Sequence, residues 1–329
     1  MNEISGCSRR QFVQGASVFA AAGLIAGRRE AWAKAPPALP QPAAIYRFKI
    51  GTMDAIAISD GPLVLGQPTQ SILGPREEID RMLAENLLPT DQWMVAQNAL
   101  VVINGDRVVL IDTGMGDSQL FGNMGGRLLA NLRAAGIGPD TVDDVVISHA
   151  HADHCWALMG KDGKPNFPNA RIHIAQRDFE FWTDPATAAQ ADFLKPFIEA
   201  TRAQLLPLRE RLSFIRDGQE VVPGIQAIAA PGHTVGHTVF VLTSGGQTLC
   251  NLADVTHHHV ISLERPRFEF AYDTDRQQAV ATRLRMLDML AVNRIQFIGY
   301  HFPFPGIGHV VKHGDAFRYV PTAMNTARL

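Results

Sequence analysis

No histidine occurs in the first 148 residues of this 329-residue chain; all 12 lie at or after His149. Cysteine is scarcer still. Cys7, Cys155 and Cys250 are too few for a disulfide scaffold or a cysteine-rich zinc module. Cys155 and Cys250 sit beside apolar runs, which favours two buried free thiols over the disulfide that an oxidising compartment would permit. Net charge is also small, 30 basic against 32 acidic residues, so nothing draws the chain generally to nucleic acid or anionic lipid. The apolar stretch over residues 16–27 is well short of the ~20 residues a membrane span requires, which argues against a stable membrane anchor. There is no Gly-x-Ser-x-Gly elbow to present a serine nucleophile, and no short-period repeat.

What remains is a globular composition, 46% hydrophobic and 19% charged, long enough for one large domain or two small ones. The N-terminus has the form of an export signal. Ser8-Arg9-Arg10-Gln11-Phe12-Val13 has the twin-arginine pattern, the small-residue apolar segment follows it, and Ala31-Trp32-Ala33 forms an A-x-A cleavage pattern. The expectation is a signal peptide over residues 1–35, recognised by the twin-arginine export machinery, and a periplasmic or secreted domain over 36–329. Residues 36–42 are Pro/Ala-rich and read as a loose arm.

The histidines begin in a cluster. His149-Ala150-His151-Ala152-Asp153-His154 sets three imidazoles and a carboxylate in six positions, a density that suits zinc or a similar divalent ion. So short a stretch cannot aim all four side chains at one ion, but it can share them between two. The rest of the chain therefore has to supply further ligands. Val145-Val146-Ile147 is a strand-like run leading into the cluster. Residues 107–111 lead into Asp112, 225–229 towards His233, 247–252 towards Asp254, and 295–299 towards His301. Polar metal-binding types at successive strand ends point to one edge of a sheet system.

The other elements read as follows. Residues 46–59 form two short strands. Residues 99–103 and 107–111 flank Asn104-Gly105 as a hairpin, and 238–243 with 247–252 flank Ser244-Gly245-Gly246 as a second. Helices are expected over 120–135, from 177, over 192–211 (interrupted by Pro196 and Pro207) and, amphipathically, over 274–292. Hairpins separated by helices favour mixed sheets covered by helices, an α+β architecture.

His-x-His-x-Asp-His followed by an isolated His, an Asp and a final His resembles the ligand signature of the metallo-β-lactamase superfamily. The resemblance covers nearly all of the expected mature chain. It implies a four-layer αββα sandwich with the metals at one edge between the sheets. It implies one ion at His149, His151 and His233, a second at Asp153, His154 and His301, and Asp254 bridging them. It also implies that Asp112 orients the ligand loop by hydrogen bonding from behind, with His237 in a similar supporting place. Zinc is the first expectation, with manganese, iron or cobalt also suited to these ligands. Two such cations lower the pKa of a shared water and polarise an incoming carbonyl or phosphoryl oxygen. The simplest mechanism is attack by the bridging hydroxide, with Asp153 orienting it and moving its proton and Asp254 holding the metal pair.

A narrower resemblance, to methyl parathion hydrolase and its lactonase-like and arylesterase-like relatives, is carried by Ile56-Ala57-Ile58-Ser59-Asp60-Gly61, Leu120-Phe121-Gly122, Gly232-His233-Thr234-Val235-Gly236-His237-Thr238 and Phe304-Pro305-Gly306-Ile307-Gly308-His309. It implies hydrolysis of a small ester-like substrate, a lactone, aryl ester or organophosphate triester. It also implies an aromatic pocket that Phe121, Trp182 and Phe193 would line, although each could equally fill the core, and it suggests a homodimer. Thr256-His257-His258-His259 departs from that family's aliphatic residues. His257 would make the pocket more polar, which argues against triesters as the natural substrate. The run reads as a polar loop ahead of an extra metal site, since three successive histidines cannot easily converge on one ion. His173, His309 and His313 read as surface or hydrogen-bonded core residues. Three alternatives compete: a mononuclear iron thiol or persulfide dioxygenase of the same fold, a β-lactamase, and a periplasmic binding protein that has lost its chemistry. The Asp254 position, commonly Cys in zinc β-lactamases, opposes the second, and the complete ligand set opposes the third.

Overall fold

The computed structural model describes residues 42–188 and 195–325; the expected signal peptide, and Phe193 among the expected pocket residues, lie outside that range. The unit from Ala43 onward is built on two seven-stranded sheets, each following the order of the chain. The first sheet comprises β1 (Ile45–Ile50), β2 (Met53–Ser59), β3 (Asn98–Asn104), β4 (Arg107–Ile111), β5 (Asp144–Val146), β6 (Arg171–Ala175) and β7 (Leu212–Ile215). β1 to β4 are antiparallel neighbours, and β4 to β7 run parallel. The second sheet comprises β8 (Glu220–Val222), β9 (Ile225–Ala229), β10 (Thr238–Ser244), β11 (Gln247–Ala253), β12 (Gln296–Gly299), β13 (Ile307–His313) and β14 (Ala316–Pro321), with only β11 and β12 parallel.

Period-two alternation explains the layering. In β2, Ala55 and Ala57 face the second sheet while Ile56 and Ile58 face outward under helices; in β3, Leu100 and Val102 face in while Ala99 and Val101 face out. Both faces of these strands are buried, so they read as near-continuous apolar runs. Between the sheets, those inward residues meet Phe240, Leu242, Leu249 and Ile298. The outer face of the first sheet is covered by α1 (Arg76–Glu85), α2 (Leu128–Ala134), α3 (Gln176–Thr183) and α4 (Lys195–Leu205). The outer face of the second is covered by α5 (Arg276–Asn293), through Met286, Leu287 and Leu290. The fold is therefore the α+β, four-layer αββα sandwich.

Cys155 lies under the first sheet's helices and Cys250 under α5, both buried as free thiols in separate cores. The helix expected over 120–135 begins only at Leu128. Gly126, at φ 74°, holds a left-handed conformation that helix excludes, and its amide is taken by Asp60 at 3.0 Å. The segment expected over 192–211 is helical from Lys195 to Leu205 and then tightens to a 3-10 turn over Leu206–Arg211, where Pro207 occupies the first turn. The hairpin β13–β14, absent from the sequence reading, closes the edge of the second sheet. Among the described residues, no helix is long and apolar enough to cross a membrane.

Candidate metal centre

The strand ends deliver their side chains to one place. Asp112 follows β4, His149 follows β5, His233 follows β9, Asp254 follows β11 and His301 follows β12. The loop after β5 is extended to His151, which forms the N-cap of a one-turn helix, Ala152–Cys155. This change of conformation within six residues brings all four side chains to one place, with the His149 and His154 ring centroids 4.0 Å apart.

Two trios result. The ligand atoms of His149, His151 and His233 lie within 4.8 Å of one another, and so do those of Asp153, His154 and His301. In the first trio, His151 Nδ1 is 3.1 Å from His149 Nε2 and 2.9 Å from His233 Nε2. In the second, Asp153 Oδ2 is 3.4 Å from both His154 Nε2 and His301 Nε2. Asp254 touches both, its Oδ2 3.3 Å from His233 and 3.1 Å from His301, its Oδ1 3.2 Å from His154. His154 Nε2 and Asp254 Oδ1 are buried there without a hydrogen bond. Buried polar atoms are normally satisfied, and orphaned ligand atoms facing one another fit a divalent cation.

Groups behind the ligands set their orientation. Asp112 accepts the Ser148 amide and hydroxyl, both at 2.8 Å, and the His154 Nδ1–H at 2.9 Å. It does so at φ 63°, a conformation aspartate tolerates better than most residues. His233 Nδ1 pairs with Asp273 at 2.8 Å, and His301 Nδ1 donates to the Ala96 carbonyl at 2.8 Å. In all three rings Nδ1 is engaged and Nε2 is left facing the centre. His237 donates from Nδ1 to Ala230 O at 3.0 Å and accepts the Asp254 amide on Nε2 at 3.1 Å, so it braces the loop rather than reaching the centre. Tyr300 donates its hydroxyl to the Asp153 carbonyl.

Burial first, then the neighbouring imidazoles, hold His149 and His151 well below the usual histidine range. Burial opposes ionisation of Asp153 and Asp254, but His154 and His301 outweigh it, lowering Asp153 to about 2 and Asp254 well below the usual carboxylate range. Burial likewise opposes a charged His233, yet its bonds to Asp254 and Asp273 raise it to about 9. For His257 burial wins over Asp254 and lowers it to about 4.

The centre forms the floor of a cavity of about 450 Å³ whose walls include Leu63, Leu65, Val95, Phe121, Trp182 and Phe270. Phe121 is half-buried and meets Tyr272 edge-on at 6.4 Å. Trp182, 4% exposed, packs edge-on against His151 at 4.9 Å and belongs to the core as well as the wall. His257 also reaches the cavity. The backbone turns His258 and His259 elsewhere and leaves His257 beside Asp254 and His233. His173 pairs with Asp144 at 2.7 Å, a hydrogen-bonded core residue as expected.

Three buried acids escaped the sequence reading. Asp178 accepts the Ala150 and Gly236 amides, Asp273 holds His233, and Asp60 accepts the Met115, Gly126 and Leu128 amides. Asp178 looks like an ordinary first-turn helix acid and Asp273 like a loop residue; neither carries a local signal. Asp60 lies in a stretch singled out by resemblance alone, and gathering the 115–128 loop is its structural reason. The tail from Phe304 to His309 has one too: at Gly306 a Cβ would fall 2.5 Å from Gly299 O and 2.6 Å from Asn98 Nδ2, so close packing of this turn supports the loop bearing His301.

A family model described as the metallo-beta-lactamase superfamily matches residues 93–299. An N-acyl homoserine lactonase of Bacillus thuringiensis is 26% identical over 167 residues, 45% of this chain and 59% of the relative, so the chain spans about three fifths of the length of that relative. Among solved structures, AidC, a dizinc quorum-quenching lactonase in complex with the product N-hexanoyl-L-homoserine, is 28% identical, with a TM-score of 0.81 over 86% of this chain and 99% of AidC. The hydrolase AbOPH of the beta lactamase superfamily is 29% identical, with a TM-score of 0.81 over 87% of this chain and all of its own.

Proposed function

The chain belongs to the metallo-β-lactamase superfamily, and from that premise we propose that it is a dinuclear metal-dependent hydrolase that opens lactones, N-acyl homoserine lactones first among them. The observation that carries this is the pair of ligand trios sharing Asp254 at the floor of an apolar cavity. His149, His151 and His233 would hold one divalent ion, Asp153, His154 and His301 the other, with Asp254 between them; zinc suits the nitrogen-rich set. Two ions bound there would supply a water acidic enough to be hydroxide near neutral pH and a Lewis acid for the substrate carbonyl.

The chain's own groups do the rest. Asp153, held ionised, can accept the proton of the attacking water and return it to the alkoxide that leaves as the ring opens. The cleavage adds one water and gives a hydroxy acid. The polar floor and the apolar walls of Leu63, Leu65, Val95 and Phe121 match a small cyclic ester carrying an apolar tail. Aryl esters are the second reading, favoured by the aromatic faces of Phe121, Trp182 and Tyr272. Organophosphate triesters come third.

The test is a panel of N-acyl homoserine lactones, aryl esters and phosphotriesters, run on the wild type and on Asp254→Ala. Lactone hydrolysis is expected to lead the panel and to fall by about two orders of magnitude or more in the variant, at the upper end of what lost metal support costs. Undiminished hydrolysis by the variant would sink the bridged reading. Protein purified without added metal that carried one iron per chain would point to the dioxygenase instead.

A further inference from the structure

Of three successive histidines, only the first turns towards the metal centre. His258 accepts the Val260 and Ile261 amides on Nδ1, each at 3.1 Å, and packs against Trp93. His259 stacks on His258 and faces Phe302. His257, 2% exposed, lies flat on Phe270 with ring centroids 3.7 Å apart and planes 18° from parallel. That stacking aims its Nε2 at Asp254 Oδ2, 3.4 Å away.

His257 Nε2 is buried and makes no hydrogen bond, a condition native structures rarely leave unexplained. The ligand atoms of His233, Asp254 and His257 lie within 4.8 Å of one another, as do those of each of the two trios. His154 Nε2 and Asp254 Oδ1 share that orphaned state at the same centre. The chemistry of the three is also alike, a borderline-soft nitrogen or a carboxylate oxygen.

We propose that His257 is an eighth protein ligand, for the divalent ion held at His233 and Asp254. The proposal rests on the dinuclear reading above and deepens it. A sixth imidazole adds nitrogen to the set and biases it further towards zinc or cobalt over manganese. His257 lines the cavity beside Asp254, so it would approach such an ion from the substrate side. Stacking on Phe270 restricts the ring's freedom to swing away from Asp254.

The experiment is a Co²⁺ titration of the metal-free full chain, followed by visible absorption and by competition with a chelating dye. It is run on wild type, His257→Leu, His257→Gln and His258→Gln. Wild type is expected to take up two ions. Both His257 variants should take up two ions as well, one of them with about tenfold or greater loss of affinity and with an altered visible band; His258→Gln should match wild type. Affinities and spectra of the His257 variants identical to wild type would overturn the assignment and leave the ring as a wall stacked on Phe270. A wild type that binds fewer than two ions would overturn the dinuclear reading itself, a result visible before any variant is compared. If the Leu variant fails to fold by circular dichroism, the Gln variant decides, since it keeps a polar side chain of similar reach.

Discussion

Asp178 Oδ2 accepts the amide of Ala150 at 2.6 Å, tying α3 to the loop between His149 and His151, the first two candidate metal ligands. The other carboxylate oxygen accepts the Gly236 amide at 2.8 Å, three residues beyond His233. One side chain therefore sets the spacing of two loops that come from different sheets. Burial raises its pKa, and the amide bonds offset part of that cost. In Asp178→Asn an NH₂ group must face one of these amides. The expected result is a ten- to hundredfold loss of metal affinity, about the range for lost groups behind ligands, with substrate KM changed far less than kcat. Chelator competition and steady-state kinetics check it.

Asp273 holds His233 and lies 3.7 Å from Arg283, which is 2% exposed and donates to the carbonyls of Val255, Pro266 and Phe268. Removing the guanidinium strands those carbonyls and leaves Asp273 without its cation. Arg283→Met is expected to lower stability by about 3–5 kcal/mol, the range for breaking one side of a buried pair. Asp273→Asn keeps an acceptor for His233 and should cost less. Urea unfolding of both variants measures the order.

Asp60 gives a pH signature. Burial, opposed by three amide bonds, raises its pKa from 3.8 to about 6. The folded chain then holds a proton that the unfolded chain has already lost between about pH 4 and pH 6. This group therefore makes stability fall as pH rises through that window, by about 3 kcal/mol in total, and level off above it. Asp60→Asn should remove that slope whatever constant offset it adds. Unfolding free energies of the two proteins at pH 4, 5, 6 and 7 are the measurement, and parallel curves would refute the prediction.

Phe121 and Trp182 line the same cavity but should behave differently. Trp182 is also core, and Trp182→Ala is expected to cost about 3–5 kcal/mol of stability together with activity. Phe121 is half-buried, so Phe121→Ala should leave the thermal midpoint within a few degrees and raise KM, most for substrates with the longest apolar tail. Equal KM changes across a series of acyl-chain lengths would remove Phe121 from the substrate site.

The sequence by itself placed histidines and aspartates at the ends of successive strand-like runs and showed an α+β chain; the division into seven candidate ligands and four layers was what its resemblance to the superfamily implied. The strand ends are a local signal, a short apolar run closing on a histidine or aspartate. Hairpins 98–111 and 238–253 were legible for the same reason, since tight turns leave their mark within a few residues. The late start of α2 was not, because Asp60 claims the amides of its approach from 55 to 68 residues away in sequence. Asp178 and Asp273 were invisible for a similar reason: each acts on a partner 28 to 58 residues distant, and nothing beside it in the chain announces that contact. His257 shows the limit most clearly. Of the three consecutive histidines, His258 and His259 pack against Trp93 and Phe302 while His257 faces Asp254. Which of them turns inward depends on the loop from Asp254 to the helix Ile261–Glu264 and on Phe270 beneath the ring, and only the packed chain settles such a choice.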